Sequence, residues 1–98
     1  MKTVQLGTIS VIHETWLPYA AACLISYCNK IPEIKSKYTF NEPLYKYKPV
    51  EEYTEQFKNI DVFGLTCYVW NQAYNDQLMS HYKDVNPNGI TMYGGPNV

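Results

Sequence analysis

Asp61-Val62-Phe63-Gly64-Leu65-Thr66-Cys67-Tyr68-Val69-Trp70-Asn71 is the stretch on which the reading of this chain turns. It begins as an apolar strand, runs into polar and aromatic side chains, and meets a helix start at Asn71. An apolar run closed by a turn signal and followed by a helical pattern is how a parallel α/β sheet presents its carboxyl edge. Ligands of such sheets sit beyond that edge.

After this stretch, Asn71 is a good helix cap, and Tyr74, Leu78, Tyr82 and Val85 recur on one stripe. Asn86-Pro87-Asn88-Gly89 is a strong stop, and Ile90-Thr91-Met92-Tyr93 reads as a last strand closing on Gly94-Gly95-Pro96-Asn97. Before it, Val4 to Ile9 reads as a buried strand, followed by a loop from Ser10 to Thr15. Thr15 can cap the next helix and Pro18 fits its first turn. Leu17, Ala21, Leu24 and Cys28 share a face, the Ala20-Ala21-Ala22 run allows close approach to a sheet, and Asn29-Lys30-Ile31-Pro32 ends the helix. Lys37 to Phe40 reads as a short strand and Asn41-Glu42-Pro43 as a turn. Leu44 to Pro49 reads as loop or edge. Pro49 opens a helix from Val50 to Phe57, with Tyr53 and Phe57 on one face.

Four strands alternating with three helices predict an α/β fold, a three-layer parallel sheet with right-handed crossovers. A doubly wound sheet ordinarily continues for another helix and strand. The apolar edge of Ile90, Met92 and Tyr93 is therefore expected to be covered by a second copy of the chain or another partner. The competing explanation is that the sequence is a fragment of something longer, incomplete at its carboxyl end.

Composition bounds the function. The 98 residues, 46% hydrophobic and 17% charged, fit one small domain. A net charge of -1 supplies no basic field for nucleic acid or an anionic membrane. The ten tyrosines suit a surface that meets another molecule, although rings padding a small core are the commoner cause of such a load. Cys23, Cys28 and Cys67 form no Cys-x-x-Cys pair, which argues for a reducing, cytoplasmic setting and against a disulfide framework or a zinc or iron–sulfur site. No apolar run has the length of a membrane span, and the amino end lacks a signal-peptide pattern.

Three stretches together resemble the cobalamin-binding domain at the amino end of many cobalamin-dependent radical S-adenosylmethionine enzymes. They are Leu17-Pro18-Tyr19-Ala20, the Asp61 to Asn71 stretch, and Met92-Tyr93-Gly94-Gly95-Pro96-Asn97-Val98. The resemblance spans nearly the whole chain in the right order. It implies a flavodoxin-like fold in which the lower nucleotide tail of cobalamin enters a slot beside the sheet and the corrin lies across the strand ends. Thr66 matches the family's hydroxyl position. Tyr68, Val69 and Trp70 would supply apolar and stacking surface, with Asn71 beside them. Gly94 and Gly95, followed by Pro96, would let a flat base approach the backbone closely. Thr8, at the end of the first strand, and Ile12 and His13, in the loop after it, would face the same site.

Some cobalamin proteins ligate cobalt through His in an Asp-x-His-x-x-Gly motif. Around His13 those positions hold Val11 and Trp16, so the orienting acid and the glycine are both missing. His13 is expected near the corrin without ligating cobalt, and His81 on the surface. The chain also lacks the Cys-x-x-x-Cys-x-x-Cys cluster of radical S-adenosylmethionine chemistry, so methyl transfer is not expected of these residues alone.

The leading expectation is a cobalamin-binding carrier or sensor, or the front part of an enzyme. Two alternatives are a methyl-transfer component working with a separate radical S-adenosylmethionine chain, and a cofactor-free, receiver-like interaction domain. The last is weakened because the strands end in Gly7-Thr8-Ile9 and Thr66-Cys67, without clustered acids.

Overall fold

The computed structural model of the chain describes residues 2–9, 19–68 and 71–94. Four strands, β1 (Lys2–Gly7), β2 (Tyr38–Phe40), β3 (Val62–Thr66) and β4 (Ile90–Gly94), form one sheet in the order β2-β1-β3-β4, and every neighbouring pair is parallel. The helices are α1 (Tyr19–Cys28), α2 (Pro32–Lys37), α3 (Thr54–Phe57) and α4 (Gln72–Val85), with a 3-10 turn at Val50–Tyr53 leading into α3. This is the flavodoxin-like α/β order through its fourth strand.

Register divides the sheet into two unlike faces. Gln5 pairs with Phe63, and Gly7 with Leu65, so these residues point to one side. On that side Phe63 and Leu65 join Ile9, Leu44, Phe57, Leu78 and Tyr82 in a closed core under α3 and α4. The stripe expected along α4 is there, with Tyr74, Leu78 and Tyr82 buried and Val85 packed at its end. Three phenols of this layer also satisfy backbone carbonyls: Tyr53 donates to Lys46 O at 2.6 Å, Tyr82 to Ile60 O at 2.7 Å, and Tyr74 to Lys48 O. Burial pushes all three phenols above the usual tyrosine range.

The opposite face carries Leu6, Gly64 and Met92 in one row. It is covered thinly. Among the α1 residues whose side chains are described, Ala21 alone is buried, and Leu24, expected on the buried stripe, is 55% exposed. Ile90 and Met92 of β4 are also exposed. All-parallel sheets ordinarily bury both faces. The amphipathic reading of α1 fails at Leu24 because, among the described residues, nothing covers that side of the helix.

Other differences have local causes. Pro32 ends α1 as expected, but it also occupies the first turn of the unanticipated α2, where its missing N–H costs nothing. The predicted helix from Val50 to Phe57 is tightened over its first half into a 3-10 turn. His81 is half-buried rather than superficial: its Nε2 lies 2.7 Å from Thr54 Oγ1 and its ring packs on Phe57. The expected cap Thr15 and the first-turn Pro18 lie outside the described residues.

Candidate functional site

The chain leaves β1 toward β2 on one side and β3 toward β4 on the other, so the carboxyl ends of β1 and β3 flank the topological switch point. Thr8 follows β1 and Thr66 ends β3. Thr8 Oγ1 donates to Thr66 Oγ1 at 3.2 Å across this crevice. Each hydroxyl has one proton, so with Thr8 donating, the Thr66 proton is left, among the described residues, for an acceptor above the sheet edge.

Below the two hydroxyls, between α1 and the thin face, lies a cavity of about 170 Å³. Leu6, Gly64 and Met92 form its floor, Ala21 and Leu24 its roof, and Thr66 and Gly94 its rim. The volume suits one small ring system and is far too small for a macrocycle. Gly64 keeps it open. A Cβ there would stand 2.9 Å from Leu6 Cδ2 and 3.3 Å from Met92 Cε, so a larger residue would either fill the slot or push its walls apart. At Gly94 a Cβ would meet nothing within 4 Å, so the bare backbone faces open space at the rim.

The turn above the slot is held by two carboxamides on the first turn of α4. Asn71 is 1% exposed and sits at the N-cap position, but its side chain caps nothing in the helix. Its Nδ2 donates to Ile9 O at 2.8 Å and Thr66 O at 3.2 Å, and its Oδ1 accepts from Tyr68 N at 2.8 Å. One residue thus ties the ends of β1 and β3 together. Asn75, one turn later, donates to Thr66 O at 3.1 Å and Cys67 Sγ at 3.2 Å, and it also reaches Asn71 Oδ1. Its own Oδ1 is buried without a partner, a cost retained inside an otherwise satisfied network.

A second border of the edge is the loop after β2. Leu44 bridges to Gly7, and Thr8 N donates to Leu44 O at 3.0 Å. The Tyr53 and Tyr74 phenols fasten its carbonyls, Tyr47 packs edge-on against Tyr74, and Lys48 Nζ lies 4.3 Å from the Tyr53 ring centre. Tyr93, at the end of β4, donates to Asp76 Oδ1 at 3.2 Å; burial and that carboxylate push its phenol up to about 12.

Of the residues singled out in the sequence, Thr8, Thr66, Tyr68, Asn71 and Gly94 come together at this edge. Ile12, His13, Val69, Trp70, Gly95 and Pro96 lie outside the described residues. Sequence reading missed Leu6, Ala21, Leu24, Gly64 and Met92 as slot lining and Asn75 as a support. A glycine inside an otherwise apolar strand signals a close approach, and Asn75 stands one helical turn from Asn71; both signals were present. Among the described residues, no group of three or more His, Cys, Asp or Glu is gathered, and no helix is long and apolar enough to cross a membrane.

No protein-family model matches the chain. Curated proteins do. It is 34% identical over 83 residues to the cobalamin-dependent radical SAM methyltransferase TokK of Streptomyces tokunonensis. It is 31% identical over 83 residues to the 2-(S-pantetheinyl)-carbapenam-3-carboxylate methyltransferase of Streptantibioticus cattleyicolor. Each match takes in 85% of this chain and 12% of the relative.

Proposed function

We propose that residues 1–98 are a cobalamin-binding domain that holds the cofactor's nucleotide tail in the slot under α1 and its corrin across the carboxyl ends of β1, β3 and β4. The observation that carries this reading is the slot itself. It is a ring-sized apolar cavity at the switch point, floored by Gly64 and rimmed by a hydroxyl pair and the bare backbone of Gly94. The similarity to a cobalamin-dependent relative supports the choice of ligand.

In this reading Thr66 donates its free proton to the polar part of the tail, and Thr8 fixes that hydroxyl's direction. Asn71 acts through the turn it holds. Tyr68, Val69 and Trp70 would cover the macrocycle and exclude water from it, and Ile12, Gly95 and Pro96 would add further contacts to the cofactor. His13 stands near the corrin without ligating cobalt. When bound, cobalamin supplies a cobalt centre that can carry a methyl group. The chain's own residues bind, orient and shield it.

The test is retention of hydroxocobalamin by the folded protein on gel filtration, followed by the corrin's visible absorbance. Failure to co-elute refutes the domain assignment. Electron paramagnetic resonance of the reduced complex checks the His13 assignment, because nitrogen coupling lost in His13→Ala would make it a ligand. Whether the domain is a stand-alone carrier or sensor, the front of an enzyme, or a component serving a separate radical S-adenosylmethionine chain turns on a neighbouring reading frame with the cysteine cluster. The exposed apolar edge of Ile90, Met92 and Tyr93 supports a homodimer or a partner chain there. A monomer in sedimentation velocity at micromolar concentration removes the homodimer.

A further inference from the structure

We infer that the slot selects among cobamides by the chemistry of the lower base, accepting apolar rings such as dimethylbenzimidazole and rejecting purines. The inference rests on the cobalamin reading above. It comes from what the slot lacks among the described residues: its floor and roof, Leu6, Gly64, Met92, Ala21 and Leu24, present only carbon and sulfur side-chain atoms or none. The strand backbone beneath is occupied in the ladders joining β1, β3 and β4, and Cys67 N closes on Gly94 O at 2.7 Å. Tyr93 also lines the slot, but its register with Leu65 turns its side chain to the other face of the sheet, where its hydroxyl is committed to Asp76.

The polar resource at the rim, among the described residues, is the remaining proton of Thr66. A purine brings several ring nitrogens, and adenine adds an amino group with two donors. Burial in this slot would leave most of them without partners, and a buried polar group left unpaired is penalised much more than a paired one is rewarded. Dimethylbenzimidazole turns two methyl groups and a hydrocarbon edge toward the same walls. A site that cannot answer a ligand's polar atoms discriminates by their desolvation, without any repulsive side chain.

The base's ordinary bond to cobalt must not enter the comparison. Binding is therefore measured with the dicyano forms of three cobamides, in which both axial positions are taken and every tail is free. The tails are dimethylbenzimidazolyl, cresolyl and adeninyl, with tail-free dicyanocobinamide as the baseline. The readout is quenching of protein fluorescence at equilibrium. Expected is an order in which the dimethylbenzimidazolyl and cresolyl forms bind at least tenfold more tightly than the adeninyl form, about 1.4 kcal/mol. The adeninyl form should approach cobinamide. A Leu24→Gln variant, altered on the exposed side of α1 where folding is little affected, should narrow the gap by offering adenine a partner. Equal affinity for adeninyl and dimethylbenzimidazolyl forms overturns the selectivity while leaving the cobalamin reading intact. Binding of none of the four overturns both.

Discussion

Replacing Gly64 by alanine separates the slot from the fold. The new Cβ would lie 2.9 Å from Leu6 Cδ2 and 3.3 Å from Met92 Cε, inside the 3.5–4.0 Å or so at which carbon atoms attract. Both neighbours are the far ends of flexible side chains, and Met92 is 47% exposed, so it can swing outward. Overpacking of this kind costs about 1 kcal/mol when the walls can yield. Alanine recovers roughly 0.5–1 kcal/mol of the conformational entropy that a strand glycine loses on folding. The two effects nearly cancel, and urea denaturation of the ligand-free variant should give a stability within about 1 kcal/mol of wild type. Binding has no such offset, because the methyl group and the displaced Leu6 terminus enter a cavity of only about 170 Å³. Cobalamin affinity, titrated by visible absorbance, should fall at least tenfold, about 1.4 kcal/mol. An unchanged affinity at unchanged stability would refute the slot as the seat of the tail.

Asn71→Ala removes the donors to Ile9 O and Thr66 O and the acceptor for Tyr68 N, and should destabilise the ligand-free protein by about 3 kcal/mol in urea denaturation. Gly89→Ala sets a Cβ against the Tyr82 ring, 2.8 Å from its Cε2, where the phenol is held on Ile60 O. A loss of about 2–4 kcal/mol, or failure to express as folded protein, is expected. The Tyr93 phenol, raised to about 12 from an unfolded value of 10.0, favours the folded state while it stays protonated. That contribution is whole below pH 10 and is lost as pH rises toward 12. Alkaline denaturation of Tyr93→Phe should therefore show a shallower decline than wild type over that window, and difference absorbance should lack one late-titrating phenol.

The fold was legible where the chain alternates cleanly. The strand from Val62 to Thr66, bounded by Asp61 and the Thr66-Cys67 end, carries enough apolar density to be read from its own residues, and the α4 stripe followed from spacing alone. The helix α2 was not legible because Pro32 is an equally good stop and first-turn residue, and only the geometry beyond it distinguishes the two. The burial of α1 was misread at Leu24 because periodicity reports which residues share a face, not whether anything lies opposite. At the site, Thr8 and Thr66 stand 58 positions apart in sequence, and only parallel pairing of β1 with β3 makes them neighbours. The tyrosines divide along both sequence expectations. Tyr53, Tyr74 and Tyr82 pad the core with their hydroxyls on carbonyls, while Tyr27, Tyr45, Tyr47 and Tyr93 remain at the surface.

The two faces of the sheet also differ in how they resist degradation. Under α3 and α4 the aromatic core is closed, whereas among the α1 residues whose side chains are described only Ala21 is buried, so α1 is expected to open at a lower cost than the core. A ring seated between α1 and the Leu6-Gly64-Met92 row would supply the interior that this side lacks, and a ligand at 100 times its dissociation constant adds about 2.7 kcal/mol to the folded state. Protease resistance across α1, and with it the steady-state amount of the protein in a cell, would then follow the supply of the cofactor.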